Sequence, residues 1–487
     1  MRFISFLLTF LFSIHFLFGF SQSSSTPTGP DLTALGWVPG EVLARFADPL
    51  DVDFNRADKT GITAIDFALE DFNILEVEQL FPHFQKDPEL GNGFTTYTGE
   101  YIPYPTLDKI YLIRFEETPN STVYDLVESL QILGKDYVEY AEPNYLFGML
   151  TGGGSGSYTN DPLNNQQWHL SAVQADTLQA ILNADNSKSD TSMVIGFLDT
   201  GVDRLHEDLK NKMWVNKLEL NGTPGVDDDQ NGYVDDLYGW DFINNDGDPM
   251  DDNSHGTHVA GIAAAETNNS KGIAGVSPGA KIMAIKVLQS NGVGSASSIA
   301  QGLLYAHNNG VSVINLSLGS YQESQVLKNS LAIAYSSSFL VAAAGNDGLC
   351  IYPLCPGGTL GKPTFPASYT FVFGVEASSI FGKKASFSNY DPDGPYNSGY
   401  SDLKNYEGRA PGIGIISTIP NPIKPSTTYS FKSGTSMATP IVSGGLSLIL
   451  SLNQNFTKEE LFIRLIYSRT NLQGNLKLLD AITNPLP

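Results

Sequence analysis

The sequence predicts an α/β domain with a mainly parallel central sheet between two layers of helices, preceded by a smaller α+β unit. Helical stretches such as 258–266 and 298–309 lie between several continuous apolar runs beyond residue 190. Apolar strands separated by helices are typical of a buried parallel sheet with helices on both faces. The runs are MVIGFLD at 193–199, IMAIKVL at 282–288, VSVINLSL at 311–318, FLVAAAG at 339–345 and FVFGVEA at 371–377.

The first residues have the pattern of an export signal. Arg2 is followed by a long apolar run, and Gly19 and Ser21 fit a small-residue site with cleavage after Ser21. A single membrane anchor is the alternative, because the run is close to the roughly 18 residues that span a bilayer. We expect a signal peptide at 1–21, a Ser/Thr/Pro-rich tail at 22–36, and a secreted protein without membrane contact once the signal is removed.

Residues 37–148 form the predicted α+β unit, and their only histidine is His83. A segment rich in Gly and Ser, TGGGSGSYTN, ends at residue 160 and is typical of a flexible, protease-accessible connection. We therefore predict a cleavable linker at 149–160 and a second unit at 161–487. Within the first unit, the predicted elements are strands at 40–46, 109–115 and 136–145, a helix at 121–134, and an apolar element of undefined type at 72–81.

Composition excludes several classes of function. The 487-residue chain carries 28 Lys and Arg against 52 Asp and Glu, a net charge of −24, which argues against nucleic acid and anionic membranes as partners. With 41% hydrophobic and 16% charged residues, the chain is not disordered overall. Two cysteines, Cys350 and Cys355, exclude a disulfide scaffold and a cysteine-ligated zinc site. They could pair in an oxidising compartment or remain free thiols.

Polar residues that follow the apolar runs are candidates for chemistry, because reactive groups gather at the carboxyl ends of parallel strands. Asp199 closes the first run, and Asn346 follows the run at 339–345. Taken singly, each fits a turn, since Asp and Asn are common beside Gly. An Asn amide in this place could also donate a hydrogen bond to an oxyanion.

Two histidines and a serine lie at the starts of predicted helices. His255 and His258 are one turn apart in HGTHVAG, so one fits a general base and the other a packed core histidine. A HxxH metal pair is the competing interpretation, but Gly256 replaces the glutamate of the HExxH pattern. Ser436 precedes an apolar helix, where a hydroxyl is either an ordinary N-cap or a nucleophile aided by backbone N–H groups.

Together these groups predict hydrolysis of a peptide bond. A serine attacks the carbonyl carbon, a histidine passes the serine proton to the leaving amine, an aspartate holds the imidazole, and an asparagine shares the oxyanion with the backbone.

The motifs DTGVD, HGTHVAG, AAAGND and GTSMATP, in this order, resemble those of the subtilisin-like serine proteases. The resemblance covers about residues 160–470 and implies a subtilisin-like three-layer α/β/α fold, polypeptide substrates and a monomer. It implies that residues 37–148 are a prodomain that chaperones folding and inhibits until cleaved off. The implied catalytic residues are Asp199, His255, Ser436 and the oxyanion donor Asn346. The implied substrate-binding residues are Ser317, Leu318 and Gly319 in one wall of the cleft, and Asp347 in a primary specificity pocket that favours polar or basic side chains.

An acidic stretch at 227–252 contains ten Asp and no Lys or Arg. In DDDQNGYVDD (227–236, the acidic loop), oxygen-bearing residues alternate and Gly232 allows a sharp bend, which is similar to the first half of an EF-hand loop. No Glu stands at the twelfth position, so the loop is not a true EF-hand, and a solvated acidic loop is the alternative. The predicted calcium ligands are Asp227, Asp229, Asn231, the Tyr233 carbonyl, and Asp236 or Asp235.

Two further calcium sites are expected. The resemblance to thermostable subtilases implies a tight site at Asp161, Asp208 and Asn269, completed by carbonyls near residues 266, 271 and 273. The third candidate lies in WDFINNDGD, with Asp241, Asp246 and Asp248, where solvated carboxylates are the alternative. We therefore expect one to three bound calcium ions.

Two functions from different classes follow. The first is an active secreted serine endopeptidase, made as a zymogen and matured by autoprocessing. The second is a catalytically silent, calcium-binding interaction protein on a subtilase fold. The presence of all four catalytic candidates favours the first, because a silent scaffold has no reason to keep them.

Overall fold

A computed structural model describes residues 37–47, 60, 62–85, 91–96, 98–118, 121–149, 159–184, 193–351, 361–391, 406–420, 428–452, 456–468 and 475–483. The predicted signal peptide and tail lie outside the described residues, as do Cys355 and most of the predicted linker. Cys350 is disulfide-bonded, so it is not a free thiol.

The N-terminal unit is an antiparallel sheet with two helices. Its elements are β1 (Trp37–Phe46), α1 (Thr63–Leu69), β2 (Ile74–Gln79), β3 (Gly93–Thr95), β4 (Tyr101–Pro103), β5 (Ile110–Phe115), α2 (Val123–Leu133) and β6 (Val138–Met149). Strand β1 is central and pairs with β5 on one side and with β6 on the other. The apolar element predicted at 72–81 is strand β2, and helix α1 was not predicted.

The two faces of this sheet are buried in different cores, because side chains alternate along a strand. Val42 and Ala44 in β1 pack with helices α1 and α2 in a small core of the N-terminal unit. Leu43 points the other way and joins Leu112 in the large core shared with the second unit. The N-terminal unit therefore packs against the second unit through one face of this sheet.

The second unit alternates strands and helices. Up to residue 308 it contains a 3-10 turn (Asn164–Gln166), α3 (Trp168–Ala172), α4 (Ala175–Ala184), β7 (Val194–Asp199), α5 (Lys217–Leu220), β8 (Gly239–Asp241), α6 (His255–Ala264), β9 (Lys281–Lys286), β10 (Val293–Ser295) and α7 (Ala296–Asn308). It continues with β11 (Val313–Leu316), β12 (Leu318–Gly319), α8 (Gln325–Tyr335), β13 (Phe339–Ala343), β14 (Phe373–Ser378), β15 (Gly408–Pro411), β16 (Ile415–Thr418), β17 (Tyr429–Lys432), α9 (Thr435–Leu452), α10 (Lys458–Tyr467) and α11 (Leu478–Thr483).

The centre of the second unit is a parallel sheet of seven strands in the order β15-β14-β13-β11-β7-β9-β8. Every residue of β7, β11 and β13 is buried, which explains their unbroken apolar sequences. Helices α6 and α9 pack together against the sheet, and α7 and α8 form the other pair. The predicted three-layer α/β/α fold is confirmed.

The last strand of the N-terminal unit enters the second unit. Beyond its pairing with β1, β6 pairs antiparallel with β10 on one side and with β12 on the other. The strand continues through Met149, one residue past the predicted end of the N-terminal unit. The same strand contributes Glu142 to the first turn of α8 and Asn144 to the first turn of α7, where each side chain accepts backbone N–H bonds.

Helix α9 is long and contains no charged residue. In the part of the chain that the structure describes, it alone is long and apolar enough to cross a bilayer, but 83% of that stretch is buried inside the protein. Its burial between α6 and the central sheet identifies it as a core helix.

Candidate active site

Asp199 and His255 meet at the carboxyl end of strand β7 in the central sheet. His255 Nδ1 lies 2.7 Å from Asp199 Oδ1, and both side chains are fully buried. The backbone N–H of Thr200 donates to the same carboxylate oxygen at 2.7 Å. Because a carboxylate only accepts, Nδ1 carries the proton and Nε2 is left as the basic nitrogen. Nε2 is buried without a hydrogen-bond partner.

The glycine after His255 allows this close approach. A Cβ atom at Gly256 would lie 2.1 Å from the carbonyl oxygen of Gly201 and 3.1 Å from the Asp199 carboxylate. A glutamate at this position, as the HExxH pattern requires, would not fit. His258 lies one turn later, fully buried, and its Nε2 is 2.9 Å from the carbonyl oxygen of Ser430. Burial lowers the pKa of His258 well below its usual range, so this residue is a packed core histidine.

Ser436 is the second residue of α9, where the sequence predicted a helix start. Its Oγ donates to the carbonyl oxygen of Ser317 at 2.8 Å, and Ser317 Oγ donates back to the Ser436 carbonyl at 2.9 Å. These reciprocal bonds join the start of α9 to the segment between β11 and β12. The hydroxyl of Ser436 therefore lies beside the strand that the resemblance assigns to one wall of the substrate cleft.

Asn346 follows β13 and is fixed by the residue that precedes Ser436. Its Oδ1 accepts from the backbone N–H and from the hydroxyl of Thr435, each at 3.0 Å. With the amide oxygen held in this way, the Nδ2 group is the end left to donate. The side-chain amide and the backbone N–H groups at the start of α9 can thus act on the same oxyanion.

The cleft beside Ser436 holds the end of β6. Gly148 pairs with Gly319 on one side and with Val293 on the other, and Met149 pairs with Leu318. An extended chain between two strands of the second unit is the geometry of peptide recognition by strand addition. Leu318 and Gly319 thus lie along the backbone of β6, and Ser317 directly precedes them.

The profile of the subtilase family matches residues 190–481. The chain belongs to the subtilase family. This subtilase is 38% identical over 320 residues to a thermophilic serine proteinase from Bacillus sp. (strain AK1), an alignment that covers 65% of this chain and 64% of that relative. It is 35% identical to thermitase from Thermoactinomyces vulgaris, over 60% of this chain and 85% of thermitase.

Other relatives extend the comparison. Subtilisin-like protease 1 from Plasmodium berghei (strain Anka) is 33% identical over 68% of this chain and 55% of its own length. The subtilase thus spans less than two thirds of the Bacillus and Plasmodium relatives. Among solved structures, fervidolysin from Fervidobacterium pennivorans, described as a keratinolytic enzyme related to subtilisin, aligns with a TM-score of 0.63. That alignment has 21% identity and covers 93% of this chain and 62% of fervidolysin, so it supports the fold alone.

Asp347 of this subtilase, predicted to line a specificity pocket, is tied to its neighbours. Tyr321 OH donates to the Asp347 carboxylate, and Asn389 Nδ2 donates to Tyr321 OH at 3.0 Å. Asn389 Oδ1 also accepts from the backbone N–H of Asp347. Burial and this carboxylate raise the pKa of Tyr321, so the phenol remains a donor. The Asp347 carboxylate is therefore already hydrogen-bonded to Tyr321 and is not an isolated charge.

The acidic loop folds back on itself around carboxylate oxygens. The backbone N–H of Gly232 donates to Asp227 at 2.8 Å, and Asn231 Nδ2 donates both to Asp229 and to Asp236. Gly232 adopts a φ of 94°, which supplies the sharp bend expected from the sequence. Burial raises the pKa of Asp236 to about 6. Tyr233 packs its ring against Trp240 at 5.0 Å, which leaves its backbone as the available ligand.

Sequence analysis missed one member of this cluster, Glu219. Ligand oxygens of Glu219, Asp227 and Asp229 all lie within 4.8 Å of one another. Glu219 is buried on α5 and accepts the backbone N–H groups of Asp229 and Asp235. Glu219 lies eight residues before the loop, outside its alternating pattern of oxygen-bearing residues. Its acidic side chain was therefore the only sign in the sequence that it could be a ligand. Three hard oxygen donors beside a glycine bend fit Ca²⁺.

The second candidate calcium site is also brought together. Asn269 lies between two buried carboxylates: its backbone N–H donates to Asp161 at 3.1 Å, and its Nδ2 donates to Asp208 at 2.9 Å. Burial raises the pKa of Asp208, and hydrogen bonds from Ile273 N and Tyr429 OH oppose the shift. Two buried carboxylates joined through one asparagine form an oxygen-rich donor set that fits a hard cation.

The third candidate is less well assembled. The Asp241 carboxylate accepts from Ile243 N and Asn244 N, and the Asp248 carboxylate forms an ion pair with Arg204. Asp246 pairs with Asp241 only through the backbone. The Asp246 carboxylate accepts from the backbone N–H of Asp248 at 3.0 Å. Each of the three carboxylates thus has a partner within the protein, in the pattern expected of structural carboxylates.

Proposed function

We propose that this subtilase is a secreted serine endopeptidase that hydrolyses peptide bonds through Asp199, His255 and Ser436, with Asn346 as oxyanion donor. The observation that carries the proposal is the fully buried Asp199–His255 pair, whose Nε2 is left basic and without a partner. A histidine held in this tautomer is the general base that a serine nucleophile needs.

We propose the following reaction for these residues. His255 Nε2 takes the proton of Ser436 Oγ as the oxygen attacks the substrate carbonyl carbon, and Asp199 stabilises the imidazolium that forms. The oxyanion accepts hydrogen bonds from Asn346 Nδ2 and from the backbone at the start of α9. His255 then gives the proton to the leaving amine, and water hydrolyses the acyl-enzyme by the same steps in reverse order.

We propose that the N-terminal unit is a prodomain removed by the chain's own activity. Strand β6 occupies the cleft as far as Met149, which pairs with Leu318. Ser317, which directly precedes β12, accepts the Ser436 hydroxyl through its carbonyl oxygen. The end of β6 therefore lies beside the segment that contacts Ser436, and this favours cleavage within the predicted linker at 149–160.

We propose two calcium sites, one at Glu219 and the acidic loop and one at Asp161, Asp208 and Asn269. Each would hold the ion through carboxylate and amide oxygens, with backbone carbonyls such as that of Tyr233. Bound Ca²⁺ would neutralise clustered carboxylates and stabilise the folded chain, because it binds only the folded form. The Ca²⁺ ions would have no part in the catalytic reaction.

Export rests on the predicted signal peptide at 1–21, and the expected partners are polypeptide substrates and the chain's own prodomain, with the mature protein a monomer. The silent interaction protein is the weaker hypothesis, because the buried His255 keeps both its carboxylate partner and its free basic nitrogen.

The test is to incubate the purified protein with a peptide library, with and without a serine-directed covalent inhibitor, beside Ser436→Ala. Cleavage that is abolished by both supports the proposal, and a protein without inhibitor-sensitive cleavage refutes it.

A further inference from the structure

The residue before His255 has an unusual backbone. Ser254 adopts φ 93° and ψ 0°, in the left-handed region that favours glycine. Serine at a helix N-cap ordinarily accepts a backbone N–H through its hydroxyl, but the Ser254 side chain forms no such cap bond. Residues in this region persist only where their surroundings hold them, and such strain is concentrated at functional sites.

Ser254 is held from both sides. Its backbone N–H donates to Asp251 Oδ1 at 3.0 Å. On the other side, Lys432 Nζ donates to both the carbonyl oxygen and the hydroxyl of Ser254, each at 2.9 Å. The hydroxyl that would cap the helix therefore accepts from a lysine of a distant strand.

Lys432 connects the strand that precedes Ser436 to the start of the helix that carries His255. It is the last residue of β17, and Ser436 follows four residues later. Ser430 of the same strand accepts from His258, one turn into α6, so β17 is attached to this helix at two points. Burial lowers the pKa of Lys432, and the nearby carboxylates of Asp251 and Asp199 oppose this shift.

We infer that Lys432 is a positioning residue: its ammonium group holds Ser254 in the left-handed conformation and thereby fixes His255 relative to Ser436. The inference rests on the proposed peptidase activity. A small displacement of one member of such a constellation can cost about 100-fold in rate, because the reacting atoms must be aligned before proton transfer. Loss of the two bonds would thus affect turnover more than substrate binding.

Lys432→Met tests this, because it keeps the aliphatic stem and removes both hydrogen bonds. In protein matured from the full chain, with active sites counted by a serine-directed covalent reagent, kcat on a peptide substrate should fall by about 10- to 100-fold. KM should change by less than about threefold. Lys432→Arg should restore most of kcat. Lys281→Met is the matched control, since Lys281 Nζ also donates to a backbone carbonyl, that of Asn211, but at the amino end of β9.

A second variant separates positioning from general packing. Ser254→Gly adopts positive φ without strain, so Lys432→Met should cost kcat less in this background than in wild type. An additive loss, a change confined to KM, or a Lys432→Met enzyme as active as wild type would each overturn the inference. If wild type itself shows no Ser436-dependent hydrolysis, the proposed function fails instead.

Discussion

His255 Nδ1 lies 2.7 Å from Asp199 Oδ1, and neither side chain is exposed to solvent. The pair joins the end of β7 to the first residue of α6 across 56 positions of sequence. Because the same Asp199 oxygen also accepts from Thr200, the carboxylate is held in place before any substrate binds.

The first prediction concerns this pair. Asp199→Asn should lower kcat by about 10⁴-fold with little change in KM, because the amide can donate to Nδ1 and stabilise the wrong tautomer. Ser436→Ala should lower kcat by at least as much and leave the fold intact. Steady-state hydrolysis of a peptide by the purified variants measures both. Near-normal activity in either variant would remove that residue from the mechanism.

The second prediction concerns maturation. The purified active protein should have a new amino terminus within the predicted linker at 149–160, and the Ser436→Ala protein should retain the N-terminal unit. Intact-mass spectrometry of both proteins, produced without other proteases, measures this. If both forms are trimmed identically, the cleavage is not the chain's own.

The third prediction concerns how the N-terminal unit is retained after cleavage. The Glu142 carboxylate accepts from Gln325 N at 2.7 Å and from Val326 N at 3.0 Å, at the start of α8. Hydrogen bonds to a charged group contribute about 1.5–3 kcal/mol, so Glu142→Ala should weaken the cleaved complex by roughly 10- to 100-fold. Activity should then appear sooner after processing in a time course on the full-length chain.

Glu139→Ala is the control for that experiment, because Glu139 lies on the same strand but pairs with Arg45 within the N-terminal unit. Equal delays between processing and activity in wild type and Glu142→Ala would mean that the hydrogen bonds between Glu142 and the start of α8 do not hold the N-terminal unit in place.

The fourth prediction concerns calcium and heat. In the Ser436→Ala background, which prevents self-digestion, Ca²⁺ at 100 times its dissociation constant should add about 2.7 kcal/mol per site to the free energy of unfolding. Excess chelator should lower Tm by several degrees relative to excess Ca²⁺. Mg²⁺ should restore little, since it requires compact octahedral geometry.

Two variants assign that difference to sites. Glu219→Gln and Asp208→Ala should each reduce the Tm difference between Ca²⁺ and chelator. Asp248→Asn should leave it unchanged, because that carboxylate is paired with Arg204. The same Tm in Ca²⁺ and in chelator would mean that the acidic residues are only solvated or hydrogen-bonded.

The fifth prediction concerns acid stability. Burial lowers the pKa of His169 to about 3, and both ring nitrogens are buried without partners. Between this value and the unfolded value near 6.5, the unfolded chain binds the proton and the folded chain does not. The contribution of His169 to stability is therefore complete above pH 6.5 and is lost as pH falls, by about 1.4 kcal/mol per pH unit.

His169→Leu should remove this loss. Thermal or denaturant unfolding of the Ser436→Ala protein and of its His169→Leu derivative, between pH 7 and pH 4, measures the difference in slope. Parallel stability curves would show that His169 takes up its proton in the folded chain as readily as in the unfolded one.

Local sequence determined the elements on which the site is built. The apolar run at 193–199 predicted β7 because a strand buried on both faces must be apolar throughout, and Asp199 was therefore conspicuous at its end. The helix starts at His255 and Ser436 were predicted for the same reason, since the apolar residues follow within one turn. Helix α1 and strand β15 were not predicted, because they are short and depend on partners distant in sequence.

Only the tertiary structure decided which polar groups meet. Glu219 joins Asp227 and Asp229 because α5 packs beside the acidic loop, and the Asp248 carboxylate turns to Arg204 instead. Strand β6 was predicted, but its insertion between β10 and β12 was not, since strand pairing leaves no periodic mark in one sequence. Burial periodicity is a property of neighbouring residues and can be read locally. A bond such as that from Lys432 to Ser254, 178 residues apart, depends on how the layers pack, and only the folded chain fixes it.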